Sequence, residues 1–239
     1  MPTGSPTAAG PLRPEHLGIL GYGEALLRQR AAHAEVAAGG PERVLLVEHP
    51  PVVTLSRRRG VRGHLLVSEE ALAARGVALE ETDRGGDVTA HGPGQLVAYP
   101  ILRLGDHGLN LSRYMRLLES VVIETAAAFG VTAAREAGAT GVWVARPGRP
   151  DAKLCALGVR IAKNTTLHGL ALNVTTDLSL FGLIDPCGLG HRPVTSLREL
   201  LGEGCPGMEE VQRVLVERLV ERLAGGAGPT GVPAPGPDA

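Results

Sequence analysis

The stretch `LCALGVRIAKNTTLHGLALNV`, Leu154 to Val174, decides how the chain is read. Two apolar runs, `LCALGVRI` and `LHGLALNV`, flank the polar segment `AKNTT`, the pattern of a β-hairpin. A two-residue turn at Lys163 and Asn164 would set Gly158 opposite Gly169 and Ala156 opposite Ala171, and a four-residue loop would shift these pairs but not the faces. Strand side chains alternate with period two, so Ala156, Gly158, Gly169 and Ala171 share one face. Leu157, Val159, Leu170 and Leu172 share the other, which is a core pattern and takes His168 with it. A face of glycine and alanine suits either a closely packed helix or a ligand lying against the backbone. Without charge to hold a polar ligand, it favours an apolar chain or a flat ring.

Working outward, `GYGEALLRQRAAHAEVA` reads as a helix, and `RVLLVEHPPVVTLS` as two strands broken by Pro50 and Pro51. In `LSRYMRLLESVVIETAAAFG`, Ser112 is the expected N-cap and Gly130 the stop. Tyr114, Leu117, Leu118, Val121 and Val122 form its apolar stripe. `TGVWVA` reads as a further strand and `MEEVQRVLVERLVERLA` as a closing amphipathic helix. Strands and helices without regular βαβ alternation predict an α+β domain around a mixed, largely antiparallel sheet. The Pro/Gly-rich ends, 1–14 and 225–239, are expected to be disordered tails around a single domain at 15–224.

The 239-residue chain is 44% hydrophobic, enough to bury a full core. Its net charge of -1 argues against nucleic-acid binding. No apolar stretch is long enough to span a bilayer and no signal segment follows the start, so a cytoplasmic protein with reduced thiols is expected. Cys155, Cys187 and Cys205 lack disulfide-framework spacing, and no Cys/His pattern predicts a metal. Cys155 lies in an apolar strand and Cys205 in a loop. Cys187, between Pro186 and Gly188, is the candidate nucleophile, with His91, His168 or Lys153 as the neighbouring base or cation. Lys153 and Lys163 are the only lysines among 24 cationic residues, which makes a retained lysine notable. By alternation Lys153 falls on the face opposite the groove, unless a bulge at the strand's start turns it. The loop `RGGDVTAHGPGQ` specifies backbone shape closely with four glycines and a proline.

In order along the chain, `VEHPPVVTL`, `RGGDVTAHGPGQLVAYPI`, `GVWV`, `KLCALGVRI`, `HGLALNV`, `DPCG` and `VTSLREL` resemble the lipoyl(octanoyl) transferases of lipoate biosynthesis, over about Leu17 to Leu201. The resemblance implies the fold of biotin and lipoate protein ligase catalytic domains. It implies transfer of octanoyl from octanoyl-acyl carrier protein to a lysine of lipoyl domains, namely those of 2-oxoacid dehydrogenase E2 subunits and the glycine cleavage H protein. No cofactor or metal is implied. Carried over residue by residue, it gives Cys187 as acyl-thioester nucleophile and Lys153 as its catalytic partner. Arg84, Gly85, Gly86, Asp87, Val88, Thr89, Ala90 and His91 form one acyl-binding segment; Ala156, Leu157, Gly158 and Gly169, Leu170, Ala171 form two more. Ala90 stands where an aromatic residue is usual and Ser56 where glycine is, which puts chain-length preference in question. An ATP-dependent lipoate or biotin ligase, or a non-catalytic lipoyl-domain or acyl-carrier binder, are the competing classes. The cluster Arg57, Arg58, Arg59 and Arg62 is a candidate for steering an acidic carrier.

Overall fold

A computed structural model describes residues 12–185 and 192–225. Within them, β1 (Arg13–Ile19), α1 (Tyr22–Ala37), β2 (Arg43–Glu48) and β3 (Val52–Leu55) come first. Next are α2 (Glu69–Ala73), β4 (Ala78–Glu81), β5 (Val88–His91), β6 (Gln95–Ile101) and α3 (Leu111–Ala128). The chain continues through β7 (Ala134–Glu136), β8 (Ala139–Arg146), β9 (Arg149–Ala162) and β10 (Thr165–Asn173) to α4 (Leu197–Leu201) and α5 (Met208–Ala224). The first strand thus begins at Arg13, inside the stretch whose composition suggested a tail.

A seven-stranded sheet runs in the order β1-β2-β6-β10-β9-β8-β7. Only β1 and β2 pair in parallel; every other pair in it is antiparallel. This is the α+β architecture that the element pattern predicts. Pro50 and Pro51 do more than interrupt a strand, because they carry the chain out of this sheet altogether. β3 joins a second sheet, β4-β3-β5, which the sequence reading did not foresee.

Helix α3 lays Tyr114, Leu117, Leu118, Val121 and Val122 on one face of the large sheet, beside Val211, Leu215 and Leu219 of α5. They meet Leu96, Ala98, Leu170 and Leu172 in the principal core. The cap of α3 is Asn110 rather than Ser112: its side chain accepts from the Arg113 N–H at 2.9 Å, while Ser112 already lies in the first turn. On the opposite face, Ala25, Ala32 and Val36 of α1 cover Leu45, Val47, Val97, Tyr99 and Ile101. Between β3 and β5 of the small sheet and the helical segment at Leu178–Leu183, a separate core holds Val53, Leu55, Val88, Ala90 and Leu183. The small sheet brings the β4–β5 loop over β9 and β10.

Candidate active site

The central hairpin has the register of the two-residue turn: Gly158 pairs with Gly169, Ala156 with Ala171, and Ala162 with Thr165. Lys163 and Asn164 form its turn with φ of 50° and 58°, the paired left-handed conformation that a two-residue hairpin requires. The small face is neither wholly covered by a helix nor fully open: Ala171 shares a core with Ala25 and Val36 of α1. At Gly158 it is covered by the loop backbone, since a Cβ there would come within 2.8 Å of the Gly85 carbonyl oxygen. The Gly85 N–H in turn donates to the Val159 carbonyl at 2.9 Å. Arg84 fixes the loop from the other side by donating to the Thr54 carbonyl at 2.8 Å and to Thr54 Oγ1. Gly169 needs its missing side chain for a similar reason, as a Cβ would overlap the Ala98 carbonyl.

What remains is a cavity of about 490 Å³, within the range of small-molecule sites. Its walls include Arg84, Gly85, Gly86, Asp87, Val88, Thr89 and His91 from the loop and β5. Ala156, Leu157, Gly158, Gly169, Leu170 and Ala171 come from the hairpin, together with Lys153. Ala90 alone of the expected loop residues is missing from the wall. It packs in the small sheet's core with Val53 and Leu55, so its departure from the aromatic pattern alters that core and not the cavity surface. Ser56 is likewise buried, its hydroxyl accepting from the Arg58 N–H.

The buried side of the cavity is built of rings. Tyr22 and His91 stack with centroids 6.0 Å apart, His49 sits edge-on to His91 at 5.6 Å, and Tyr99 meets His168 edge-on at 6.4 Å. Most of their polar atoms are bonded to protein partners, although the buried His168 Nδ1 has no hydrogen-bond partner among the described residues. Tyr22 donates to Thr82 Oγ1; His49 Nδ1–H donates to the Leu20 carbonyl, so its Nε2 accepts from the Tyr99 hydroxyl at 2.9 Å. His91 is fixed by a relay whose direction follows from its end. The Thr195 carbonyl can only accept, so Asn173 Nδ2 donates to it and Asn173 Oδ1 accepts from Gln95 Nε2. Gln95 Oε1 then accepts from His91 Nδ1–H at 2.6 Å. Burial, reinforced by His49, pushes the His91 imidazole down to about 3. A ring held neutral in this way is a weak general base near neutrality, which counts against the pairing of Cys187 with His91 as base. Gln95 and Asn173 escaped the sequence reading, although both sit inside quoted motifs; neutral amides give no catalytic signal in sequence.

His168 departs from the alternation that assigned it to the core face. Its φ is 60°, its N–H turns to Gln29 Oε1, and its ring faces the cavity with Nε2–H donating to Asp83 at 2.8 Å. The expectation of a hydrogen-bonded histidine holds, but its face is the other one.

Lys153 is turned as well, by the bulge that alternation required. Val142 pairs with Cys155 and Trp143 with Lys153, so Leu154 is the extra residue on β9. The ammonium lies 4.6 Å from the Trp143 ring centroid. The Lys153 N–H donates to the Pro193 carbonyl at 2.9 Å and its carbonyl accepts from the Thr195 N–H at 3.0 Å. Cys187 lies outside the described residues. The chain enters that segment from Asp185, whose N–H donates to the His64 carbonyl, and leaves it at Arg192, one residue before Pro193. Cys155 is fully buried and burial raises its thiol well above the ordinary range, so it is an inert core residue. Cys205 is half-buried against the Val174 carbonyl.

The arginine cluster is partly neutralised. Arg62 pairs with Glu69 and Glu81, and Arg58 lies 3.7 Å from Asp87, while Arg57 and Arg59 are exposed.

Residues 21–220 match the family "Lipoyl protein ligase A/B catalytic domain". A curated relative from Chloroflexus aurantiacus, named octanoyltransferase, is 48% identical over 87% of this chain and 92% of its own. Among solved structures, a putative lipoate protein ligase of T. acidophilum superposes with a TM-score of 0.67 at 16% identity, covering 90% of this chain and 86% of that one. A biotin protein ligase from Aquifex aeolicus does so with 0.52 at 14%, covering 89% and 70%. At those identities the two structures speak to the fold alone.

Proposed function

The chain belongs to the lipoyl protein ligase A/B catalytic-domain family, as an acyltransferase of its octanoyltransferase branch, and we propose that it moves octanoyl from acyl carrier protein to the lysine of a lipoyl domain through a thioester on Cys187. The observation that carries this reading is Lys153, an amine that a bulge turns into a cavity with a small-residue floor.

The chemistry follows from the groups. In the first half-reaction the Cys187 thiolate attacks the carrier's thioester carbonyl, the new C–S bond forms, and the carrier thiolate leaves. One thioester replaces another, so the step is nearly balanced and needs no ATP. In the second, the acceptor lysine amine attacks the enzyme thioester, the Cys187 thiolate leaves, and an amide forms, which makes the step downhill. Lys153 serves both halves: its ammonium favours the Cys187 thiolate and gives a proton to the departing carrier thiolate, and the amine so formed takes the proton that the attacking lysine loses. Lipoyl domains of 2-oxoacid dehydrogenase E2 subunits and the glycine cleavage H protein are the acceptors we propose. No helix among the described residues is long and apolar enough to cross a membrane, which is compatible with soluble donor and acceptor proteins.

The test is intact-protein mass spectrometry after incubation with octanoyl-loaded acyl carrier protein without ATP, on the native protein, Cys187→Ser and Lys153→Ala. A single octanoyl adduct on the native protein is expected, released by hydroxylamine and passed to a lipoyl domain, and absent from Cys187→Ser. Octanoylation of the lipoyl domain only with free octanoate and ATP, without an adduct, would instead make the protein a ligase and overturn the role of Cys187.

A further inference from the structure

Two cations share one ring beside the cavity. The Lys153 ammonium lies 4.6 Å from the Trp143 centroid, and the Arg192 guanidinium lies 4.1 Å from the same centroid. The ring is buried, 2% exposed. Arg192 is held by both Glu136 oxygens, at 2.5 Å, so its plane is fixed independently of Lys153. Lysine's own stem is confined too, for a Cβ on Gly141 would sit 3.4 Å from Lys153 Cε. Neither Trp143 nor Arg192 has a part in the proposed transfer so far.

We infer that Trp143 and Arg192 are positioning residues that set the charge state and place of the Lys153 amine. This rests on the proposed role of Lys153 in proton transfer. An aromatic face attracts an ammonium and so favours the protonated form. A guanidinium on the same ring opposes it, because a second positive charge near an ammonium disfavours protonation. Glu136 moderates that repulsion without removing it, since its carboxylate is spent on the far partner. The two influences therefore oppose each other, which suits an amine that must be charged in one half-reaction and neutral in the next. Among the described residues, several charged groups on the neighbouring elements have partners of their own. Glu119 of α3 is paired with Arg116 and Arg135, and Arg84 of the β4–β5 loop is bonded to Thr54. His91 and His168, across the cavity, are pushed toward their neutral forms chiefly by burial, and Cys155 on the same strand is kept a thiol by burial.

The two residues act in opposite directions, which a merely structural role would not do. In Arg192→Met the ammonium loses its competitor, so the acid limb of the pH profile for acyl transfer from preformed acyl-enzyme to a lipoyl domain should move up by about half a pH unit or more. In Trp143→Leu the ammonium loses its ring, and the limb should move down by a similar amount. Arg192→Lys, which restores a cation over the ring, should bring the limb back. Equal shifts in one direction, or none, with folded protein in each case, would overturn the inference. Lys153→Ala separates the two levels: if it transfers octanoyl with an unaltered profile, the role of Lys153 itself fails. If it is inactive while the Trp143 and Arg192 variants keep the native limb, only the positioning role fails.

Discussion

The two sides of the cavity solve opposite problems. On one, Tyr22, His91, Tyr99 and His168 are all at least nine-tenths buried, and their polar atoms mostly point into protein partners, so polar side chains present largely apolar ring faces. On the other, the Lys153 amine and the Arg192 guanidinium lie partly exposed around a single indole. Desolvation governs the first side and pushes its imidazoles toward neutrality. Paired charges and a shared ring govern the second. An apolar chain thus has a wall to lie on, while in the proposed transfer a thioester carbonyl would have an amine to meet.

Removing the amine breaks that contrast most severely. Lys153→Ala should lower octanoyl transfer by about 10²–10⁴-fold, the usual contribution of a positioned proton-transfer group. Its melting temperature should stay within a few degrees of native, because a half-exposed side chain carries little of the core. Full activity in a kinetic assay would leave the charged side without a function.

Filling the floor sharpens the other half of the comparison. Ala171 is buried on the cavity wall, opposite Ala156. Ala171→Leu adds three carbons to that wall and should displace a comparable length of acyl chain. Each methylene denied burial costs about 0.8 kcal/mol, so octanoyl turnover should fall by about 10–100-fold. Hexanoyl and butanoyl donors should lose much less, and equal loss for all three chain lengths in competition assays would mean that the acyl group lies elsewhere.

Much of this was legible in sequence because it depends on local rules. Alternation alone puts Ala156 and Ala171 on one face, and the stripe of α3 is read correctly from its spacing. The failures are all places where the backbone leaves its regular path. Lys153 reaches the cavity through one inserted residue, Leu154, and His168 through a left-handed φ that strand alternation does not anticipate. The second sheet was missed because β4 and β5 are four residues each and gain their stability from a core shared with distant segments. Ala90 was assigned to the wall by its motif neighbours, yet successive strand residues point to opposite faces, and His91 takes the cavity side. The Gln95–Asn173 relay spans 78 residues, a separation that carries no sequence periodicity.

The ring wall also predicts a pH dependence of stability. His91 binds its proton at about 3 when folded but near 6.5 when unfolded, so the unfolded chain takes up more protons between those values. Stability from keeping this ring neutral is full above about pH 6.5 and is lost as pH falls toward 3, roughly 2 kcal/mol of it by pH 5. His49 and His168 are shifted in the same direction. Melting temperature should therefore drop steadily between pH 7 and pH 5. His91→Phe should flatten the slope; an unchanged slope would assign the acid sensitivity to other groups.

The smallest effect belongs outside the cavity. Arg62 and Arg58 are already engaged by carboxylates, which leaves Arg57 and Arg59 as the members of the cluster able to act at a distance. Attraction between exposed charges and an acidic carrier changes the encounter rate more than the affinity, and salt screens it over about 8–10 Å. Arg57→Glu with Arg59→Glu should lower kcat/KM for acyl carrier protein by a few-fold at low ionic strength, with kcat nearly unchanged. The difference should fade at high salt, because screening removes the native advantage and the variant's repulsion together. A matched loss with a small octanoyl thioester, which has no acidic surface to steer, would trace the defect to the cavity instead, through the loop that links the cluster to Asp87.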